Sequence, residues 1–180
     1  MTAKELVATA FYARSCIQIT RIAEILGYAD DAARYAALRD HVIAGFLDRF
    51  IRLDGTMTSD TQCAYALAIA FGLLDGEPVR KVKAGNRLAC LVRESGGKVS
   101  TGFAGTPFVL PALTQTGHDD EAYQLLTSTE CPSWLYQVTM VPPPHGSAGI
   151  PCVLTASLNP EHDLIQPLRR SVRSAGMDAT

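Results

Sequence analysis

Residues 61–74, TQCAYALAIAFGLL, form an apolar stretch without a single charged side chain. Ser59 and Gln62, just before it, have the spacing of a helix N-cap and its reciprocal partner, so the sequence predicts a helix that begins here. A helix without a polar face must be surrounded by protein on nearly every side. The stretch therefore predicts an all-α domain in which this helix is an inner element.

Two further inner helices are predicted on either side of this one. Thr2 and Glu5 have capping-box spacing at the start of a long helix that is predicted to be buried around much of its girth. Thr106 and Pro107 predict the N-cap and first residue of another uncharged helix. Pro111 fits that helix only in or just after its first turn, where few backbone hydrogen bonds are lost.

Amphipathic helices alternate with the inner ones. One begins near Asp30, a second runs from Pro78 to about Glu94, and a third covers residues 118–129. In the second, the predicted inward stripe consists of Val79, Val82, Leu88, Leu91 and Val92. Short turns would join these helices into three antiparallel hairpins, which is typical of a toroid or solenoid of helix pairs. The hairpin sequences do not repeat one another, which disfavours a regular repeat array.

The composition argues against several classes of partner. A formal net charge of −2, without a basic stripe, predicts neither nucleic-acid nor membrane binding. No apolar run reaches the roughly 18 residues that span a bilayer, and the N-terminus lacks the layout of a signal peptide, so a cytoplasmic location is expected. The five cysteines include no CxxC pair, and neither a metal nor a cofactor is expected.

Three motifs then follow one another along the chain. They are TSDTQ at 58–62, STGFAGTP at 100–107 and PSWLY at 132–136. In this order and spacing they resemble the catalytic domain of bacterial α-L-rhamnosidases of glycoside hydrolase family 78, over residues 1–140. The resemblance implies a partial (α/α)6 barrel, with about three of six hairpins present, and hydrolysis of terminal α-L-rhamnosyl residues with inversion. A rhamnosylated carbohydrate or glycoside is the implied partner.

The same resemblance implies that this chain is inactive by itself. Inversion needs an acid and a base carboxylate roughly 6.5 to 9.5 Å apart. The family's acid comes from a segment upstream of the residues present here. Its base lies just after the PSWLY motif, in a run resembling Gly-Ala-Thr-Thr-x-Trp-Glu-Arg-Trp-Asp, where this chain has prolines at 142–144. No catalytic residue is therefore assigned.

A shift of reading frame would explain these prolines. With one base restored after the Met140 codon, the following codons can read Gly-Ala-Thr-Thr-Thr-Trp-Glu-Arg-Trp, which is the family's run. Residues 162–169, read one base further on, can give Met-Thr-Ser-Phe-Asn-His-Tyr-Ala, which resembles the next family motif. Residues 141–180 are thus predicted to be a frame-shifted, disordered, Pro-rich tail with irregular structure. The other interpretation is a genuine Pro-rich linker.

Candidate substrate-binding residues lie where the inner helices begin, because loops there form the sugar pocket of such barrels. They are Asp60, Thr101, Phe103, Thr106, Trp134 and Tyr136. Each group has a purely structural interpretation as well. Asp60 can complement a helix dipole, the Gly-flanked loop at 101–107 can be a tight turn and cap, and Trp134 can pack in the core.

A rival function is a non-enzymatic helical-hairpin scaffold that binds a protein or carbohydrate through its concave face. Half a barrel would also leave inner helices such as residues 63–74 without neighbours. Each large apolar side chain left in water forfeits about 1.5 to 3 kcal/mol. The sequence therefore predicts self-association through exposed inner helices.

Overall fold

The computed structural model describes residues 1–52 and 54–139, which form helices joined by short connections. The helices are α1 (Lys4–Leu26), α2 (Ala29–Phe50), α3 (Gln62–Ala70), α4 (Pro78–Glu94), α5 (Gly102–Gln115), α6 (Asp119–Thr127) and α7 (Trp134–Thr139). An isolated antiparallel bridge pairs Ile51 with Met57 between α2 and α3. Within these ranges, no helix combines the length and apolar composition needed to cross a bilayer. The all-α class is confirmed.

Helices α1 to α6 form three consecutive hairpins with α3 at the centre. α1 packs on α2, α3 on α4, and α5 on α6, while α3 also contacts both α1 and α5. The starts of the inner helices meet at one end of the molecule. There Thr2 and Thr61 share a hydrogen bond of 2.8 Å, and the Val99 N–H donates to the Pro132 carbonyl at 3.0 Å. We call this the N-terminal end of the inner helices.

Helix α3 is enclosed, whereas α1 is not. Every residue from 62 to 69 is at most 3% exposed, because α1, α4 and α5 surround this helix. The expectation that residues 63–74 lack neighbours is therefore wrong. α1 is buried along one side only, and its Ile22 and Ile25 are 54% and 75% exposed. The prediction that α1 is buried around much of its girth is likewise wrong, because the neighbours that α1 has lie on one side of it.

The predicted caps of α1 and α3 are wrong, because their side chains bond to a neighbouring segment instead. Neither Thr2 nor Glu5 caps α1; the Thr2 hydroxyl bonds to Thr61. The Ser59 hydroxyl accepts from the backbone N–H of Ala3 at 3.1 Å. Thr61 is the N-cap of α3 and accepts from the N–H of Ala64 at 3.3 Å.

Helix α5 begins one turn earlier than the sequence predicts. Its N-cap position is Thr101, so the prediction of Thr106 as the cap is wrong, and Pro107 and Pro111 both lie inside the helix. Each proline removes one helical hydrogen bond. Val109, Ala112 and Leu113 are nonetheless fully buried. Packing of α5 against the core overrides the local preference of proline for a helix start.

Helix α4 has the predicted bounds but a rotated inward face. Val79 and Val82 are 69% and 61% exposed, so their predicted burial is wrong. The buried stripe consists of Ala84, Gly85, Leu88, Ala89 and Val92. Small residues in this stripe let α4 approach its neighbours closely, and that contact turns Val79 to the far side of the helix.

Candidate functional site

A cavity of about 510 Å³ opens at the N-terminal end of the inner helices. Residues near the starts of α1, α3 and α5 line it, among them Thr2, Val7, Cys63, Thr101, Phe103 and Thr106. Pro132, from the segment before α7, also contributes to its wall. Three of the six predicted substrate-binding residues therefore share one cavity.

The first turn of α5 presents hydroxyls and an aromatic ring to this cavity. The Thr106 hydroxyl donates to the Gly102 carbonyl at 2.8 Å and lies 2.8 Å from the Thr101 hydroxyl. Phe103 is 80% exposed, although it is a large apolar residue. Gly102 has a φ of 63°, a conformation that glycine adopts without strain. An exposed ring beside hydroxyls can hold a molecule that has both an apolar and a polar face.

Buried Gln62 fixes the loop that leads into α5. Its side-chain amide donates to the Lys98 carbonyl and the Ser95 hydroxyl, both at 3.1 Å, and its carbonyl accepts from the Ser100 N–H at 2.9 Å. Gln62 is only 1% exposed, and a buried amide of this kind has to be hydrogen-bonded. The sequence pattern predicts Gln62 only as the reciprocal partner in a helix cap. The signal for its role was a polar side chain at the start of an otherwise apolar helix.

Asp60 is held in an ion pair and does not line the described cavity wall. Its carboxylate accepts from Arg87 at 2.7 and 3.0 Å and from the Tyr65 hydroxyl at 2.9 Å. The Arg87 hydrogen bonds keep the pKa of Asp60 below its usual range, partial burial opposes this, and Tyr65 adds to the lowering. Burial raises the pKa of Tyr65 to about 12. Asp60 thus bonds to side chains of α3 and α4.

Trp134 and Tyr136 lie in α7 beside this end of the molecule, outside the described lining. Trp134 is half-buried and packs against the hydrophobic core. The fully buried Ser133 donates its hydroxyl to the Ser128 carbonyl at 2.5 Å and accepts from the Tyr136 N–H at 3.3 Å. These bonds fix the start of α7 relative to α6.

The described cavity lining contains polar groups but no Asp or Glu. Within residues 1–52 and 54–139, no group of three or more His, Cys, Asp or Glu side chains is placed to hold a metal ion.

Comparison with known protein families gives a match over most of the chain. The family model described as the bacterial alpha-L-rhamnosidase 6 hairpin glycosidase domain matches residues 1–141. An alpha-L-rhamnosidase of Streptomyces avermitilis is 40% identical over 137 residues, covering 76% of this chain and 13% of that protein. One from Formosa agariphila is 36% identical over 139 residues, covering 76% of this chain and 15% of the relative.

Solved structures agree with the sequence match. The native α-L-rhamnosidase of Aspergillus terreus superposes with a TM-score of 0.73 at 34% identity, covering 77% of this chain and 16% of that one. The Streptomyces avermitilis enzyme complexed with L-rhamnose gives 0.72 at 38% identity, covering 77% and 13%. This chain spans between 13% and 16% of the length of these relatives. With a family model and the fold in agreement, the chain belongs to the bacterial α-L-rhamnosidase six-hairpin glycosidase family.

Proposed function

We propose that residues 1–140 are part of the catalytic domain of an α-L-rhamnosidase, which hydrolyses terminal α-L-rhamnosyl residues with inversion. One observation supports this proposal most directly. Residues at the starts of α1, α3 and α5 line the same cavity, in a chain that belongs to this family. Relatives named alpha-L-rhamnosidase, one of them solved with L-rhamnose, support the choice of sugar.

In this proposal the first turn of α5 contacts the sugar. The ring of Phe103 stacks on the apolar face and methyl group of rhamnose, because an exposed ring gains most by covering apolar surface. The hydroxyls of Thr101 and Thr106 bond to the sugar's hydroxyls. Asp60, Trp134 and Tyr136 lie outside the described lining, so their contact with substrate stays a prediction from the family resemblance.

We further propose that this chain binds the rhamnosyl group without hydrolysing it. Inversion needs an acid and a base roughly 6.5 to 9.5 Å apart, and the described lining offers no carboxylate for either. Asp60, the one carboxylate within the three motifs, is paired with Arg87. The prolines at 142–144 and the proposed frame-shifted tail at 141–180 lie outside the described residues. Resequencing the locus tests the frame shift.

A non-enzymatic carbohydrate-binding scaffold is the second candidate function. Two observations favour this scaffold: Phe103 is exposed, and the described lining of the cavity contains no carboxylate. The two candidates differ in selectivity. A family site should prefer L-rhamnose over other monosaccharides in competition, whereas a general scaffold should not.

Titration of the full chain with L-rhamnose, followed by NMR, tests the proposed site. Phe103→Ala should weaken rhamnose binding about five- to tenfold, because a stacked ring contributes roughly 1 kcal/mol beyond its buried area. Tyr123→Ala is the matched control, since Tyr123 is 67% exposed on outer helix α6. If Phe103→Ala binds rhamnose as tightly as the wild-type chain does, the sugar site does not lie in this cavity.

A chromogenic rhamnoside tests the proposed inactivity in the same preparations. No turnover above background is expected from the wild-type chain. Turnover would contradict the proposal that this chain is inactive, while it would support the family function.

A further inference from the structure

Two threonine hydroxyls in the cavity wall form a hydrogen-bonded chain with a fixed direction. The Thr106 hydroxyl lies 2.8 Å from the Gly102 carbonyl, which can only accept, so the single proton of Thr106 points there. The Thr101 hydroxyl lies 2.8 Å from the Thr106 oxygen. If Thr106 donated to Thr101 instead, two acceptor oxygens would face each other at 2.8 Å with no proton between them. Thr101 therefore donates to Thr106, and Thr106 donates to Gly102.

This direction turns the two hydroxyls into acceptors. A hydroxyl has one proton to donate and two lone pairs with which to accept. The protons of Thr101 and Thr106 are both used within the first turn of α5. What the pair can offer to a ligand is lone pairs, and both residues line the cavity. A group that bonds to the pair from the cavity must therefore donate the proton itself.

Thr101 does not use its oxygen as a helix cap, although it is the N-cap residue of α5. A threonine at this position normally has an extended backbone, and its oxygen accepts from an N–H of the first turn. Thr101 instead has a φ of −89° and a ψ of −17°, and its side chain makes no cap hydrogen bond. The helix start therefore leaves the lone pairs of Thr101 for the cavity.

The position of Thr101 is fixed by its neighbours inside the chain. The N–H of Ser100, the preceding residue, donates to the buried Gln62 side chain at 2.9 Å. Thr101 itself is 5% exposed, and its Cβ would lie 3.0 Å from a Cβ added at Gly105. The Thr101 side chain thus packs closely against the backbone of α5. An acceptor that is already ordered loses little freedom on binding, so the direction of its hydrogen bond can select a ligand.

We infer that Thr101 determines the specificity of the cavity by accepting a proton from a hydroxyl of the bound sugar. The inference rests on the proposed function, because it gives a direction to one sugar contact. It also defines the class of ligand: a sugar whose hydroxyl at this contact is free, and not one in which that hydroxyl is alkylated, acylated or replaced by a halogen. A group without a proton would set its lone pairs against those of Thr101 and leave both unbonded.

Titration of the full chain with L-rhamnose, and with analogues that carry fluorine in place of one ring hydroxyl at a time, tests this inference. Fluorine is close to a hydroxyl in size but cannot donate. At least one analogue should bind the wild-type chain about three- to tenfold more weakly than rhamnose, the effect of one hydrogen bond. In Thr101→Val the difference between rhamnose and that analogue should vanish, and Thr101→Ser, which keeps the oxygen, should restore it. Thr114→Val is the matched control, since the exposed Thr114 donates to the Leu110 carbonyl at 3.1 Å within the same helix.

Thr106→Val provides a second measurement that keeps the Thr101 oxygen. Without the Thr106 oxygen to accept it, the Thr101 proton is released for the ligand, so the same analogue should lose less affinity relative to rhamnose than it does with the wild-type chain. Circular dichroism checks that each variant folds. Equal binding of rhamnose and all analogues to the wild-type chain, or a difference that survives Thr101→Val, would overturn the inference and leave the sugar site in place. A wild-type chain that binds no rhamnose would refute the proposed function, and the inference with it.

Discussion

The carboxylate of Asp60 illustrates how neighbouring side chains decide the chemistry of a residue near a cavity. Arg87 donates to both of its oxygens, with the Nε–H shared between them, and also pairs with Glu94 at 2.7 Å. The Tyr65 hydroxyl bonds to Asp60 and at the same time accepts from the Met57 N–H at 3.1 Å. Asp60 therefore links the loop before α3 to the outer helix α4.

Asp60→Asn should lower the free energy of unfolding at pH 7 by about 1 kcal/mol or less, because solvent screens a pair that is about one third exposed. The pKa of Asp60 is lowered in the folded state, so its contribution is present above the ordinary carboxyl pKa and is lost as the pH falls through the folded value. Urea unfolding at a series of pH values should show the two proteins converging below about pH 4. In an Arg87→Met background the same substitution should have a smaller effect, and an equal effect there would contradict the pairing.

The packing of α5 on α3 depends on one glycine. A Cβ added at Gly105 would lie 2.8 Å from the Cys63 sulfur and 3.1 Å from the Cys63 Cα. Backbone cannot yield as a flexible side chain can, so α5 reaches this distance only without a side chain at 105. The close approach brings Thr101 and Thr106 to the start of α3, where Cys63 also lines the cavity.

Gly105→Ala should destabilise the protein by about 1 to 3 kcal/mol, because the new methyl group overpacks the contact between α3 and α5. Gly45→Ala is the matched control in exposed helix α2, where an added Cβ meets nothing within 4 Å. It should instead stabilise by roughly 0.5 to 1 kcal/mol, since alanine loses less conformational freedom than glycine. Chemical denaturation distinguishes the two, and equal effects would contradict the proposed close packing.

The described hydrophobic core spans all three hairpins with α3 at its centre. Its buried members run from Leu6 in α1 to Leu125 in α6, and Trp134 of α7 packs against it. Helix α1 contributes to that core from one side only, and its Ile22 and Ile25 are exposed.

A chain truncated after Met140 should keep its helical circular dichroism signal and its midpoint of urea unfolding. The reason is that the family model ends at residue 141, close to the proposed domain boundary. The full chain under the same conditions is the reference. A truncated chain that unfolds at markedly lower urea would show that residues 141–180 contribute to the fold, which contradicts the proposed boundary.

The sequence by itself determined the helical class, the three hairpins and the family. The reason is that burial on all sides requires an uncharged helix such as residues 61–74, and such a helix can be recognised from composition alone. The motifs at 58–62, 100–107 and 132–136 added the family, and three of the predicted binding residues do share a cavity. These features are encoded locally, in consecutive residues.

Tertiary structure decided the features that depend on contacts between distant residues. Gln62 bonds to groups 33 to 38 residues away, and Asp60 pairs with a guanidinium 27 residues away, so neither role is visible in the local pattern. The caps at Ser59 and Thr2 were wrong because hydroxyls can bond equally well to a neighbouring segment. The enclosure of α3 and the exposure of α1 follow from the order of the helices around the core, which periodicity does not specify.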